Sequence, residues 1–345
     1  MRHLFLAATA AAALLLPVHA EETAPAPSPG QIVDAAKANE WVPIAPSDLL
    51  VMDLAPDAAG KPRRVIIQLM PPPFSQGWIG NIRKLAAAHW WDGTAVTRVQ
   101  DNYVAQWGDP DGEDAAKAKP LPDDLVVVPE SEYVVSDAAS GSATSEGRAV
   151  VRLSGEEAAR RARLLEQSRK ADIFGRAPMA DAYAPHVMFE AGWPIGYSDE
   201  QVPDSRWPVH CYGMVGVGRN MSPDTGTGAE LYAVIGHAPR HLDRNIALIG
   251  RVVSGIEYLS SLPRGTGPLG FYEDPAQRVP IASVRLASDL PQSGRPAFEY
   301  LSTESDSFAR YADARQNRRD PFFIRPAGGA DICNIPVPVR AVASK

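Results

Sequence analysis

The feature that most restricts the fold of this chain is a succession of short apolar segments, each stopped by turn formers before a helix can close. Residues 49–54 and 64–69 flank a turn-rich stretch from Pro56 to Pro62, and residues 94–99 and 103–107 flank Gln100-Asp101-Asn102. Residues 210–217, 231–235, 246–253 and 281–286 follow the same pattern. Runs of this length, bounded in this way, read as strands. Beside them, residues 74–88 carry Trp78, Ile82 and Leu85 at helical spacing, and residues 255–262 form a second short helical candidate. Many short strands with few helices predict a mainly β fold, either a barrel or a sandwich. There is no internal repeat.

Residues 1–20 read as a secretory signal peptide. Arg2 and His3 begin it, an apolar run from Leu4 to Leu16 follows, and Val18-His19-Ala20 offers small residues for cleavage after Ala20. The run is shorter than the ~20 apolar residues of a spanning helix, so no integral membrane segment is expected after cleavage. In a Gram-negative cell the product would be periplasmic. The net charge of −7 lacks the clustered basic footprint of a nucleic-acid surface. The two cysteines, Cys211 and Cys333, could pair in an oxidising compartment and tie the C-terminal tail to the middle of the chain. The alternative is two buried thiols. A bond there would contribute about 4–5 kcal/mol by closing a long loop.

Between the strands the pattern changes. Residues 21–45 are expected to be a flexible lead-in, with residues 32–38 a short helical candidate. Residues 110–147 are polar and proline-rich, with Leu125-Val126-Val127-Val128 a possible strand. Residues 154–170 form a strong helix candidate, with Ser154 and Glu157 making a capping box. Residues 177–207 read as irregular, and the tail from 291 to 345 has no clear period.

Several chemistries find no support. The mature histidines His89, His186, His210, His237 and His241 form no metal-ligand spacing, and Pro239 interrupts the one i, i+4 pair. No G-x-S-x-G elbow is present. The glycines of 213–218 lack the third fingerprint position, where Met221 stands, so a dinucleotide loop is disfavoured.

What remains is an arginine-centred surface. Asp92-Gly93-Thr94-x-x-x-Arg98-Val99, followed by Tyr103-x-x-Gln106-x-Gly108-Asp109, resembles the D-G-T-x-F-H-R-V…F-x-x-Q-G-G-D signature of the cyclophilin-type peptidyl-prolyl cis-trans isomerases. Asn81 resembles the family's preceding helix position. Gly228-Ala229-Glu230-Leu231-Tyr232 is similar to G-S-Q-F-F, Leu242-Asp243 with Gly250-Arg251-Val252 to the family's L-D-G…G-x-V, and residues 280–285 to its closing strand. The order of these pieces carries the resemblance more than any one of them.

The resemblance implies a closed eight-stranded β-barrel capped by two helices, with its groove on the outer face. It implies a barrel domain over 46–289, interrupted by an insertion at about 111–209, and a C-terminal extension over 290–345. Arg98 becomes the catalytic cation, with Gln106 holding the peptide backbone. Tyr103, Val104, Tyr232 and Leu242 become walls of a proline pocket, beside Glu230 and His241. Alone, Arg98 reads as a strand arginine in a surface ion pair, and the pocket residues read equally as core. The implied partners are proline-containing segments of unfolded or exported proteins, with no cofactor.

Four departures from the family pattern bear on activity. Val96-Thr97 replaces Phe-His, Trp107 replaces the first glycine of Q-G-G-D, Ile246 replaces a histidine, and Glu230 replaces a glutamine. Glu230 is expected either to ion-pair with Arg98 and orient it or to divert it from substrate. The alternative function is a catalytically weak chaperone or proline-peptide binding module on the same fold.

Overall fold

The computed structural model of the protein describes residues 25–136, 181–198 and 205–342. In chain order its main elements begin with α1 (Pro29–Asp34), β1 (Trp41–Pro43), β2 (Leu49–Leu54), β3 (Arg63–Leu69), α2 (Gln76–Ala87), β4 (Ala95–Val99) and β5 (Val104–Gly108). The insertion contributes β6 (Val135–Ser136), β7 (His186–Glu190), β8 (Trp193–Ser198) and β9 (Ser205–Pro208). Then come β10 (Met214–Val217), β11 (Leu231–Val234), β12 (Leu248–Ser254), α3 (Glu257–Ser260) and β13 (Val279–Leu286). The C-terminal extension adds β14 (Phe298–Leu301), α4 (Asp306–Gln316) and β15 (Val339–Ala341).

Eight strands close into a barrel in the order β10-β11-β5-β4-β13-β2-β3-β12, and full closure leaves no sheet edge exposed. α2 covers one opening of the barrel. Its residues Trp78, Ile79, Ile82, Leu85 and Ala86 fall at helical spacing and are all buried, while the Trp78 indole N–H donates to the Thr225 carbonyl at 3.0 Å.

β2 explains why its sequence is a continuous apolar run. Leu50, Met52 and Leu54 join the main core, whereas Leu49 and Val51 on the opposite face pack with Ile66, Ala287 and Phe298. Phe298 belongs to the C-terminal extension, so both faces of this strand are covered from Leu49 to Met52, and the first polar residue is Asp53, paired with Arg64 where the cover ends. The extension also recruits the N-terminal segment. β1 pairs with β14, β14 pairs with β15, and α1 packs on α4 around Ile32, Trp41, Phe308 and Tyr311. Residues 29–43 therefore form ordered structure, not the flexible lead-in expected over 21–45.

The insertion differs from its sequence reading as well. Residues 186–190, 193–198 and 205–208 form three strands of a four-stranded sheet, β6-β9-β8-β7, instead of irregular chain. The buried Arg251 of β12 pins this sheet to the barrel. Its guanidinium donates to the Gly192 carbonyl at 2.8 Å and to Gln68 at 2.9 Å, and lies over Trp193 and Tyr300. Residues 125–128 are not a strand; Val126 is held by the buried Asn81 amide, which accepts from its N–H and donates to its carbonyl. β10 begins at Met214, leaving His210 in the preceding turn, and the expected helix over 255–262 shortens to α3. The 154–170 helix and the 1–20 signal peptide lie outside the described residues. No described helix is long and apolar enough to cross a membrane.

Candidate active site

Cross-strand partners share one face of a sheet, and the register places four residues in a row across β4, β5, β11 and β10. Arg98 pairs with Gln106, Gln106 with Tyr232, and Tyr232 with Gly216. Gly216 has to be glycine, because a Cβ there would lie 2.3 Å from the Tyr232 ring. Val104 shares this face and is covered, at 2 % exposure, while Trp107 lies on the opposite face and fills the barrel interior at 1 %. The bulky Trp107 therefore does not intrude on the groove.

Arg98 is half-buried and held at three points. Its Nε donates to the Leu269 carbonyl at 2.7 Å, Nη1 to Gln106 Oε1 at 3.0 Å, and Nη2 to Gln100 Oε1. Its guanidinium faces the rings of Tyr103 at 5.7 Å and Phe271 at 5.4 Å. Burial pulls its pKa below the ordinary arginine value, yet arginine stays charged at any working pH. Each terminal nitrogen keeps one N–H beyond these bonds for a ligand. Tyr103 continues the wall by stacking nearly parallel to the exposed His241, with ring centroids 6.4 Å apart, and the half-buried Leu242 follows.

Glu230 makes no ion pair with Arg98. Its carboxylate folds over Gly108, where a Cβ would meet it at 1.9 Å, and accepts from the Asp109 backbone N–H at 2.9 Å. The Gln106 side chain lies beside it, both approaching Gly218. Gln106 thus stands between the cation and the carboxylate: its Oε1 accepts from Arg98, and its amide lies on the Glu230 side. Burial pushes the Glu230 carboxyl up to about 7, against the lowering effect of the Asp109 and Gln106 bonds.

Behind Tyr232 lies a second, buried network. The Tyr232 hydroxyl meets His210 Nε2 at 2.9 Å, His210 Nδ1 meets Asp243 Oδ1 at 2.9 Å, and Asp243 Oδ2 accepts from Arg240 Nε at 2.7 Å. Arg240 is also bidentate to Asp181 of the insertion, at 2.7 and 2.9 Å. Burial lowers the His210 pKa despite Asp243, so the ring is neutral at neutral pH. A neutral ring whose Nδ1–H donates to Asp243 leaves Nε2 to accept from Tyr232. Cys211, next to His210, is disulfide-bonded to Cys333 of the extension.

Residues 173–286 match the sequence model of the family described as cyclophilin type peptidyl-prolyl cis-trans isomerase/CLD. The second half of the barrel, β10 to β13, thus lies within a cyclophilin-type sequence match, and the closed eight-stranded barrel has the cyclophilin fold. Cyclophilin AquaCyp293 from Hirschia baltica has the same fold, with a TM-score of 0.58 at 20% identity, covering 88% of this chain and 94% of that one. A Cryptosporidium parvum cyclophilin-type isomerase, crystallised with the dipeptide alanyl-proline, gives a TM-score of 0.34 at 10% identity over 68% of this chain and 98% of its own. No curated protein sequence matches the chain. The family match contains Tyr232, His241 and Leu242 of the cyclophilin-type domain, and Arg98 and Gln106 precede it.

The structure thus brings Arg98, Gln106, Tyr103 and Glu230 together over the buried Tyr232, with His241 against Tyr103, while Leu242 and the buried Val104 show no contact with Arg98. Sequence reasoning missed Phe271, the Leu269 carbonyl, and the His210–Asp243–Arg240–Asp181 chain. Gln100 was detectable, since it stands two residues after Arg98, just past the end of β4. The others arrive from loops with no periodic signal.

Proposed function

We propose that the cyclophilin-type domain is an exported, periplasmic peptidyl-prolyl isomerase acting on proline-containing segments of unfolded or newly exported proteins, without a cofactor. Rotation about an X–Pro bond crosses a barrier near ~20 kcal/mol because it destroys amide resonance. As the bond twists, the prolyl nitrogen regains its lone pair, and a spare N–H of Arg98 donates to it. That bond is stronger in the twisted state than in the planar one, which is the requirement for catalysis. Gln106 binds the peptide backbone, and Tyr103, Tyr232 and Leu242 hold the ring.

The observation that carries this reading is the cross-strand row that sets the half-buried Arg98 and Gln106 beside the buried Tyr232. The apolar leader at residues 1–20 supports export. A proline-limited refolding assay tests it: the wild type should accelerate the slow phase and Arg98→Ala should not. An unaccelerated wild type, or an undiminished mutant, would reject it.

One observation favours the second reading, a weakly catalytic chaperone. The Glu230 carboxylate stands beside the Gln106 side chain and competes with a peptide carbonyl for its amide. Binding of a proline peptide to the wild type with no acceleration of refolding would select it.

A further inference from the structure

Beyond the groove, the C-terminal extension presents an apolar tip ringed by cations. After α4 the chain turns outward through Phe322, Phe323 and Ile324. Phe322 is 84 % exposed and Ile324 95 %, whereas Phe323 folds back at 37 %. Phe323 is the support. Its ring lies 4.3 Å beneath the Arg318 guanidinium and meets Phe322 edge-on at 5.2 Å. Two large apolar side chains are thereby held away from the body of the protein.

Beside this tip opens a cleft of about 350 Å³ whose lining includes Arg315, Arg318, Phe323, Arg325 and Asn334. Arg315 is oriented by its bond to the Asn334 carbonyl at 2.7 Å, and Arg318 by Asp320 at 2.7 Å. Arg325 is exposed and makes no ion pair among the described residues. Residues 310–325 hold Arg310, Arg315, Arg318, Arg319 and Arg325 against Asp313 and Asp320 alone. On a chain of net charge −7 this is a local reversal of sign.

We propose that this face docks the protein on an anionic phospholipid bilayer. Phe322 and Ile324 enter the interfacial layer, and the cleft between Arg315, Arg318 and Arg325 takes a lipid phosphate. The shape decides for a bilayer over a folded partner: the apolar groups stand on a convex tip, which a fluid interface accepts and a protein surface must recess to fit. The charge complements an anionic headgroup layer, and apolar insertion with electrostatic attraction is the pairing that holds proteins at such interfaces. The inference is independent of the isomerase chemistry, since no residue of the tip belongs to the groove.

Co-sedimentation of the chain processed after Ala20 tests it, with vesicles of phosphatidylglycerol and phosphatidylcholine against phosphatidylcholine alone. The wild type should bind the anionic vesicles and release them at high salt. The double variant Phe322→Ser/Ile324→Ser should lose affinity roughly tenfold or more. Arg325→Glu, a distinct surface change that guards against misfolding of the first variant, should lose about fivefold or more. Both should keep wild-type refolding activity. Absence of binding, equal binding to neutral vesicles, or undiminished binding by the tip variant would overturn the proposal. So would release of the wild type by millimolar inorganic phosphate at constant ionic strength, which would assign the cleft to a free anion.

Discussion

Two polar assemblies meet at Tyr232, and they differ in what surrounds them. The Arg98 face is half-exposed and built from neutral partners: two glutamine amides, one backbone carbonyl and two rings. The His210–Asp243–Arg240–Asp181 chain is almost wholly buried and contains two ion pairs. A cation kept among neutral acceptors stays available to a developing lone pair. A cation bidentate to one carboxylate, bonded to another and buried with both is neutralised and closed off from a substrate. The first assembly suits chemistry, and the second fixes the turn that carries His241 and Leu242.

Breaking the buried side should therefore cost stability. The largest effect is expected at the disulfide, which closes a loop of 122 residues behind His210 and should contribute about 5 kcal/mol. Denaturant unfolding of Cys333→Ser should show that loss, and an unshifted midpoint would remove the bond from the account. Asp243→Ala should cost about 3–5 kcal/mol, because it strips a buried arginine of one carboxylate and His210 of its acceptor. Less than about 1 kcal/mol in the same assay would mean that the network is structurally idle.

Glu230 sharpens the comparison from the other side, as a buried carboxylate beside Gln106 that does not pair with Arg98. Its value rises from an ordinary 4.5 to about 7 on folding, so between these pH values the unfolded chain releases a proton that the folded chain retains. Stability from this group is full below about pH 4.5 and falls as pH rises through about 7, by at most about 3 kcal/mol. Unfolding across this window should show the slope in the wild type and not in Glu230→Gln. Identical slopes would place the titration elsewhere.

Much of the barrel could be read in the sequence because its segments combine apolar runs with turn formers at each end. Where a second layer covers a strand, as the extension covers β2, the run becomes continuous but keeps its length. The insertion sheet was hidden for a local reason. Pro194, Pro208, Gly192 and Gly196 break the alternation, and Gly196 is needed because Trp207 packs on it, 2.5 Å from where a Cβ would stand. The apolar run at 125–128 misled because a side chain, Asn81, supplies the backbone bonds that a neighbouring strand would give. In the site, Arg98, Gln106 and Tyr232 followed from an ordered motif. The real partner of Glu230 did not, since only the register shows it opposite Gly108, with room to fold away from Arg98.

The division between the two assemblies comes to one paired measurement on Arg98→Ala: kcat/KM for a proline peptide by exchange spectroscopy, and the free energy of unfolding, on the same sample. A half-exposed arginine acting mainly on the twisted bond predicts a loss on the order of 100-fold in kcat/KM. The same substitution should change stability by about 1 kcal/mol or less. An unchanged kcat/KM, or a stability loss as large as that of Asp243→Ala, would contradict the account.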